Sequence, residues 1–192
     1  MPERSRDAVT ALLRLRESAD FGHLKVDLLE GRLIVSPPPD GPHELVVEWL
    51  MDEFRDVSKV NGWARIVRSA VQLTPTREWT EPDMLIHGDR TKIRSEWLNP
   101  PRYALLVAEI VSESSKREDR EVKPRGCALA GIPFYLLIDR LADPVTVTLH
   151  SEPGQHGYAT SDVVAAGGKL SIPEPFGIVL DTSTMPLPHA AQ

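Results

Sequence analysis

One charged residue, Glu109, stands inside an otherwise apolar run of the chain. Leucine, valine and alanine occupy residues 105–108 before it, and Ile110 and Val111 follow it. A run of this length, bounded by polar and turn residues, is typical of a buried strand. A carboxylate buried in such a strand is costly unless something cationic compensates it, so the run predicts either an ion pair or a bound metal.

Two further residues extend this feature into a pattern suited to phosphate chemistry. Asp83 precedes the apolar run 84–86, and Lys123 follows Glu109 by fourteen residues. Two carboxylates on neighbouring strands hold a hard divalent cation, Mg²⁺ by preference, with water in its open positions. The cation lowers the pKa of a bound water, and a lysine orients that water or stabilises the reacting phosphate. Structural ion pairs are the alternative, because Asp119 stands four residues before Lys123, the spacing of a helical ion pair.

Periodicity and turn residues predict the other elements. Residues 23–36 form a β-hairpin that turns at Glu30-Gly31, with Lys25 and Asp27 alternating with apolar neighbours. A helix follows from His43, with an apolar face of Leu45, Val46, Trp49, Leu50 and Phe54. The remaining predicted strands are 63–73 and 78–86, antiparallel around a loop at 74–77, then 134–138, 144–150, 157–165, 169–173 and 177–181.

Several of these segments, in the same order, resemble the Uma-two family of the PD-(D/E)XK nuclease superfamily. The matching segments are LLEGRLIVSPPP at 28–39, His43, EPDMLI at 81–86, VAEIVSESS at 107–115, residues 119–139 and PEPFGIVLD at 173–181. The resemblance implies an α/β fold of restriction-endonuclease type, a mixed central sheet flanked by helices with an N-terminal β-hairpin. We expect this domain over 21–182, after a helical segment at 1–20 and before a flexible tail at 183–192.

The resemblance also implies a function and a site. It predicts a metal-dependent endonuclease, using Mg²⁺ or Mn²⁺, that hydrolyses phosphodiester bonds of DNA. Asp83, Glu109 and the backbone carbonyl of Ile110 would bind the metal, and Lys123 would position the attacking water. Two alternatives are a non-catalytic nucleic-acid-binding or interaction module on the same fold, and a metal-dependent hydrolase of a small phosphoester.

The position of the lysine departs from the usual superfamily motif. That motif places a lysine two residues after the glutamate, where this chain has Val111. The Uma-two pattern carries the lysine later, at the position of Lys123. Because Pro124 fits only the first turn of a helix, we expect Lys123 at a helix entrance or kink.

Four residues outside this set have two interpretations each. In the superfamily, a helix before the sheet can contribute a glutamate to the metal site. Glu48 or Glu30 would be that glutamate here. The alternative for each is a solvated side chain that points outward. His43 either caps its helix or lies on the surface, or it contacts a phosphate. Trp97, in a loop with four basic residues, either anchors that loop or stacks on a base.

Composition narrows the cellular setting. One cysteine, Cys127, excludes an intramolecular disulfide and fits a reducing cytoplasm, where we expect it as a small buried hydrophobe. No apolar run approaches the ~20 residues that a bilayer span needs, so no membrane partner is expected. The net charge of −6 disfavours a free-standing nucleic-acid binder, although residues 55–125 hold 14 Lys and Arg against 11 Asp and Glu. A monomer and a homodimer both remain open.

Overall fold

The computed structural model describes residues 24–73, 78–93 and 98–187. A π-helical turn, Glu118–Val122, precedes the last helix. In chain order the strands and α-helices are β1 (Lys25–Leu29), β2 (Arg32–Ser36), α1 (Gly41–Glu53), α2 (Arg55–Asn61), β3 (Ala64–Ile66), β4 (Ala70–Leu73), β5 (Glu78–Thr80), β6 (Met84–His87), β7 (Leu98–Asn99), β8 (Ala104–Ile110), α3 (Lys123–Leu129), β9 (Phe134–Asp139), β10 (Thr146–Gly154), β11 (Gly157–Ala165), β12 (Lys169–Ile172) and β13 (Ile178–Asp181).

The larger sheet is mixed and has the order β11-β10-β9-β8-β6-β3. Its central strands β8 and β9 are parallel, whereas β6 and β10 pair antiparallel with them. Alternate residues of these strands point to opposite faces, because side chains in a strand have a period of two. On one face Leu106 and Ala108 pack against helix α1, and on the other Val107 and Val111 pack toward the smaller sheet and α3. Glu109 shares the second face.

The smaller sheet has the order β2-β1-β5-β4-β7 and contains the predicted N-terminal hairpin. Strands β1 and β2 pair antiparallel from Lys25 opposite Ser36 to Leu29 opposite Arg32. The turn residues Glu30 and Gly31 have φ angles of 50° and 72°. Both angles lie in the left-handed region that a two-residue type I′ hairpin turn requires, so the predicted turn is confirmed.

The predictions of one continuous strand over 63–73 and of another over 78–86 are wrong. Each segment contains two strands that belong to different sheets: β3 pairs antiparallel with β6 in the larger sheet, whereas β4 pairs antiparallel with β5 in the smaller one. The chain leaves the larger sheet between β3 and β4, where Arg68 adopts a φ angle of 53°. Residues 67–69 therefore carry the chain from one sheet to the other. The predicted loop at 74–77 lies outside the described residues.

Helix α1 begins two residues earlier than predicted, because Asp40 caps it. The Asp40 carboxylate accepts a hydrogen bond of 2.7 Å from the amide of His43. The predicted apolar face needs one correction, since Leu45 is 53% exposed whereas Val47 is buried. Trp49, Leu50 and Phe54 are buried as predicted. The helix thereby covers one face of the larger sheet. His43 in its first turn lies beside Asp83, just before β6.

The predicted strands after residue 140 are confirmed as β10 to β13. Packing continues past residue 182, where the sequence suggested a flexible tail. The indole of Trp49 donates a 3.0 Å hydrogen bond to Thr184, and Met185 is buried. The predicted helical segment at 1–20 and the chain beyond residue 187 lie outside the described residues. No helix in the described ranges is long and apolar enough to cross a membrane.

Candidate active site

Asp83, the residue before β6, lies beside Glu109 of the adjacent strand β8. Met84 of β6 stands opposite Ala108 of β8, so the residue before one strand lies next to Glu109 on the other. Both carboxylates contact a single ammonium, that of Lys25 in the smaller sheet. Lys25 Nζ lies 2.9 Å from Asp83 Oδ1 and 2.8 Å from Glu109 Oε2. The two carboxylates therefore share one face of the sheet and one cation.

Lys123 joins the same cluster where the π-helical turn 118–122 passes directly into α3, so of the predicted helix entrance or kink it occupies an irregularity inside a helical stretch. Its Nζ lies 2.8 Å from Glu109 Oε1, 2.8 Å from Asp119 Oδ1 and 3.4 Å from Asp27 Oδ2. The lysine is buried, with 1% of its side chain exposed. The predicted ion pair with Asp119 is therefore present, and the same ammonium also contacts Glu109. The role of Lys123 toward an attacking water stays a prediction.

Asp83 is held by hydrogen bonds from two further elements. Its Oδ2 accepts a 2.8 Å bond from the Ile110 amide and lies 3.1 Å from Nε2 of His43. Ile110 therefore contributes its N–H to Asp83, and the role of its carbonyl as a metal ligand stays a prediction. These contacts turn the remaining oxygen, Oδ1, toward Lys25 and Glu109.

Sequence reasoning missed Lys25 and Asp27 as members of the site. Asp27 is buried, and it accepts hydrogen bonds from the Thr80 hydroxyl at 3.0 Å and the Glu81 amide at 2.7 Å. Thr80 Oγ1 also lies 3.4 Å from Glu109 Oε1. The signal was present, since both residues occupy the polar face of β1. The alternation alone did not indicate that this face is covered by the larger sheet.

Two opposing effects, burial and the attraction of nearby opposite charges, set the pKa values of the groups in the cluster. Burial raises the pKa of Glu109 to about 8, since the loss of hydration outweighs the attraction of Lys123 and Lys25. For Asp83 burial acts in the same direction, but Lys25 and the hydrogen bond from His43 outweigh it and lower the pKa. Burial opposes the charge on both lysines, and their carboxylate neighbours raise the pKa of each above its ordinary value.

A cleft of about 310 Å³ opens onto the cluster. The Arg140 guanidinium borders it and pairs with Asp40 through contacts of 2.9 and 3.1 Å. This pairing lowers the pKa of Asp40 to about 2. The cleft gives the cluster access to solvent from the side of Lys25. Its other lining residues include Pro37, His43, Asp83, Ser112, Ser115 and Lys123.

The two glutamates considered as further ligands lie elsewhere. Glu30 is exposed at the hairpin turn, where it pairs with Arg117 at 2.8 Å. Glu48 occupies the exposed side of α1. His43, in contrast, is buried beside Asp83, so it is neither a surface residue nor a simple cap. Trp97 lies outside the described residues.

The raised pKa of Glu109 predicts a pH dependence of stability. Between about pH 4.5 and 8 the folded protein retains a proton that the unfolded chain releases, so rising pH favours unfolding through this group. We expect the free energy of unfolding of the wild type, relative to that of Glu109→Gln, to fall from pH 5 to pH 8. Urea unfolding of both proteins in EDTA at several pH values measures the difference. If the unfolding free energies of the two proteins changed with pH in parallel, the raised pKa of Glu109 would be contradicted.

Comparison with known proteins identifies a matching family and a similar solved structure. The model of the Uma2 family, described as "Putative restriction endonuclease", matches residues 11–183. A search of curated proteins finds no match. The structure is similar to that of "a putative nuclease belonging to DUF820 from Anabaena variabilis ATCC 29413", with a TM-score of 0.64 and 18% sequence identity. The match covers 83% of this chain and 88% of that chain, and it shows a restriction-endonuclease-like α/β fold.

Proposed function

The chain belongs to the Uma2 family, and from this premise we propose that it is a metal-dependent endonuclease that hydrolyses phosphodiester bonds of DNA. One observation carries the proposal: Asp83 and Glu109 each turn one oxygen toward a single cation position that borders a cleft. A phosphodiesterase site needs such a position, because a cation there contacts both the scissile phosphate and its attacking water.

The donor set fits Mg²⁺ or Mn²⁺. Both cations prefer carboxylate and carbonyl oxygens with water completing the coordination. The four carboxyl groups of Asp27, Asp83, Glu109 and Asp119 face two ammonium groups, those of Lys25 and Lys123, so carboxyl groups outnumber ammonium groups in the cluster. Within the described ranges, no group of three or more His, Cys, Asp and Glu side chains is placed to hold a metal. The two carboxylates, the Ile110 carbonyl and water would therefore form the coordination sphere.

When bound, the metal would lower the pKa of a water and neutralise charge on the phosphate. The protein's own residues position these partners. Lys123 fixes the orientation of Glu109 and supplies positive charge close to the reacting phosphate. Its longest contact, 3.4 Å to Asp27, is the one most readily exchanged for the attacking water.

His43 supplies a second group beside the predicted metal position. Asp83 holds its Nε2 at 3.1 Å, and in the described part of the chain its Nδ1 has no hydrogen-bond partner. Nδ1 is itself buried, so His43 orients Asp83 through Nε2, and it would reach a phosphate oxygen or exchange a proton through Nδ1 only if the cleft wall opened around the ring.

A non-catalytic nucleic-acid-binding module is the second candidate. The observation that favours it is the bridging Lys25, because its ammonium already compensates the two carboxylates without a metal. Such a module would bind DNA equally well in Mg²⁺ and in EDTA and would leave it intact. The two candidates therefore differ in metal dependence and in the product.

Cleavage of supercoiled plasmid DNA in Mg²⁺, Mn²⁺ and EDTA tests the proposal. We expect metal-dependent nicking by the wild type and a loss of about two or more orders of magnitude in rate for Asp83→Asn, the scale of losing one electrostatic stabiliser. Asp89→Asn is the matched control, because Asp89 is half-buried beyond the opposite end of β6, away from the cluster, and its carboxylate caps a short turn at Thr91.

The cleavage and binding results distinguish a metal-dependent endonuclease from a non-catalytic module and from a small-phosphoester hydrolase. Equal rates in metal and EDTA, or full activity of Asp83→Asn, would contradict a metal site at this cluster. Binding without cleavage would establish the non-catalytic module. Hydrolysis of a small aryl phosphodiester with no action on DNA would indicate a small-phosphoester hydrolase instead.

A further inference from the structure

Lys25 stands where the proposed metal would bind. Its Nζ contacts one oxygen of each carboxylate, Asp83 Oδ1 at 2.9 Å and Glu109 Oε2 at 2.8 Å. A Mg²⁺ or Mn²⁺ ion bound by those oxygens at ~2.1 Å would occupy the same space as the ammonium. The two cations therefore exclude one another at this position.

The other oxygens of the pair offer no alternative position. Asp83 Oδ2 accepts from the Ile110 amide and lies beside His43 Nε2. Glu109 Oε1 accepts from Lys123, which is buried. A metal that bridges the carboxylates must use the oxygens that Lys25 now contacts.

Lys25 has room to leave, unlike the second lysine. Its side chain is 23% exposed and lines the cleft, whereas that of Lys123 is 1% exposed and held by three carboxylates. Lys25 is also the first residue of β1, so its side chain can rotate into the cleft while the backbone pairing of the strand is kept. The cleft that receives it is the side from which a phosphate would approach.

We propose that Lys25 is an internal competitor of the catalytic metal, holding Asp83 and Glu109 together in the metal-free protein and moving into the cleft when the metal binds. This inference rests on the metal site of the proposed function. It adds a residue whose ammonium compensates the carboxylates before metal arrives and lies next to the substrate afterwards. Affinity for metal is then lowered by the fraction of molecules in which Lys25 still occupies the position.

Mn²⁺ titration calorimetry on Lys25→Met, at one fixed pH, tests the competition. Methionine keeps the length of the side chain and removes the charge. We expect Mn²⁺ to bind at least about ten times more tightly than to the wild type, since the competing cation is gone. Lys169→Met is the matched control, because Lys169 is exposed in β12 and pairs with Asp181, far from the cluster. It should bind Mn²⁺ as the wild type does.

A second variant shows that the gain arises at this site. Adding Asp83→Asn to Lys25→Met should abolish the increase in affinity. Unchanged or weaker Mn²⁺ binding by Lys25→Met, or no Mn²⁺ binding by any of these proteins, would overturn the inference. If Lys25→Met unfolds, circular dichroism with and without Mn²⁺ decides: folding restored by Mn²⁺ supports the exchange, and no restoration makes Lys25 a structural cation that metal cannot replace.

These binding results are independent of cleavage. A wild type that cuts DNA while Lys25→Met shows no tighter Mn²⁺ binding retains the proposed function and loses the competition. A wild type that never cuts DNA, but whose Lys25→Met variant binds Mn²⁺ more tightly, loses the endonuclease assignment and retains the competition.

Discussion

Replacing Lys123 with methionine is expected to lower the free energy of unfolding by about 3–5 kcal/mol. The substitution keeps a side chain of similar length, so packing changes little. It leaves the buried Asp119 carboxylate and the Glu109 carboxyl group without their shared ammonium, whose Nζ lies 2.8 Å from each. An uncompensated carboxylate in a buried site is the costly state, and Lys25 contacts Glu109 and Asp83 rather than Asp119. Urea unfolding of the variant and the wild type at pH 7 measures the difference.

Lys116→Met is the control for this prediction. Lys116 also pairs with a carboxylate, Glu113 at 2.7 Å, but 42% and 78% of their side chains are exposed. A solvated pair of this kind contributes about 1 kcal/mol or less. Similar losses for the two variants would show that burial does not decide the energy of the Lys123 contacts.

Cleavage by the folded fraction of Lys123→Met should fall by about two orders of magnitude or more if the lysine acts on the transition state.

Replacing Phe176 with alanine is the second large effect, at about 3–5 kcal/mol of folding free energy. Phe176 is buried and packs edge to face with three aromatic rings. The ring centroids lie 5.4 Å from Phe54, 5.1 Å from Trp63 and 5.7 Å from Phe134. Alanine removes all three contacts and leaves a cavity between α1, the larger sheet and the segment before β13.

Val179→Ala, in the neighbouring strand β13, is the control, because Val179 is 57% exposed. It should change the free energy of unfolding by about 0.5 kcal/mol or less. A small loss for Phe176→Ala would mean that the C-terminal strands are not part of the main core. Thermal unfolding followed by circular dichroism measures both variants.

The sequence predicted the parts of the site that lie within single segments. Glu109 could be recognised because one charge in an apolar run is a local signal. Lys123 could be placed at an irregularity of the helix because Pro124 restricts the chain next to it. The residues that complete the cluster depend on which strands pair, and Leu28 opposite Trp79 is a pairing that no local pattern indicates.

The failures in the fold have the same origin. Residues 63–73 show the propensity of one strand, and only the competition of two sheets for its halves separates β3 from β4. Leu45 fits the helical period but lies at the margin of the face that the larger sheet covers, so it remains exposed. The polar face of β1 is a further case, since burial of a face is set by what packs on it and not by its own residues.

The Lys25 contacts also bear on how the protein acquires activity during folding. They join residues 58 and 84 positions apart and connect the smaller sheet to the larger one. Closing loops of that length is entropically expensive, so contacts of this kind form only after the local hairpins exist. A nascent chain in which the two sheets have not yet docked would therefore hold its carboxylates apart. The proposed nuclease activity would then arise in one late step, together with the docked native state.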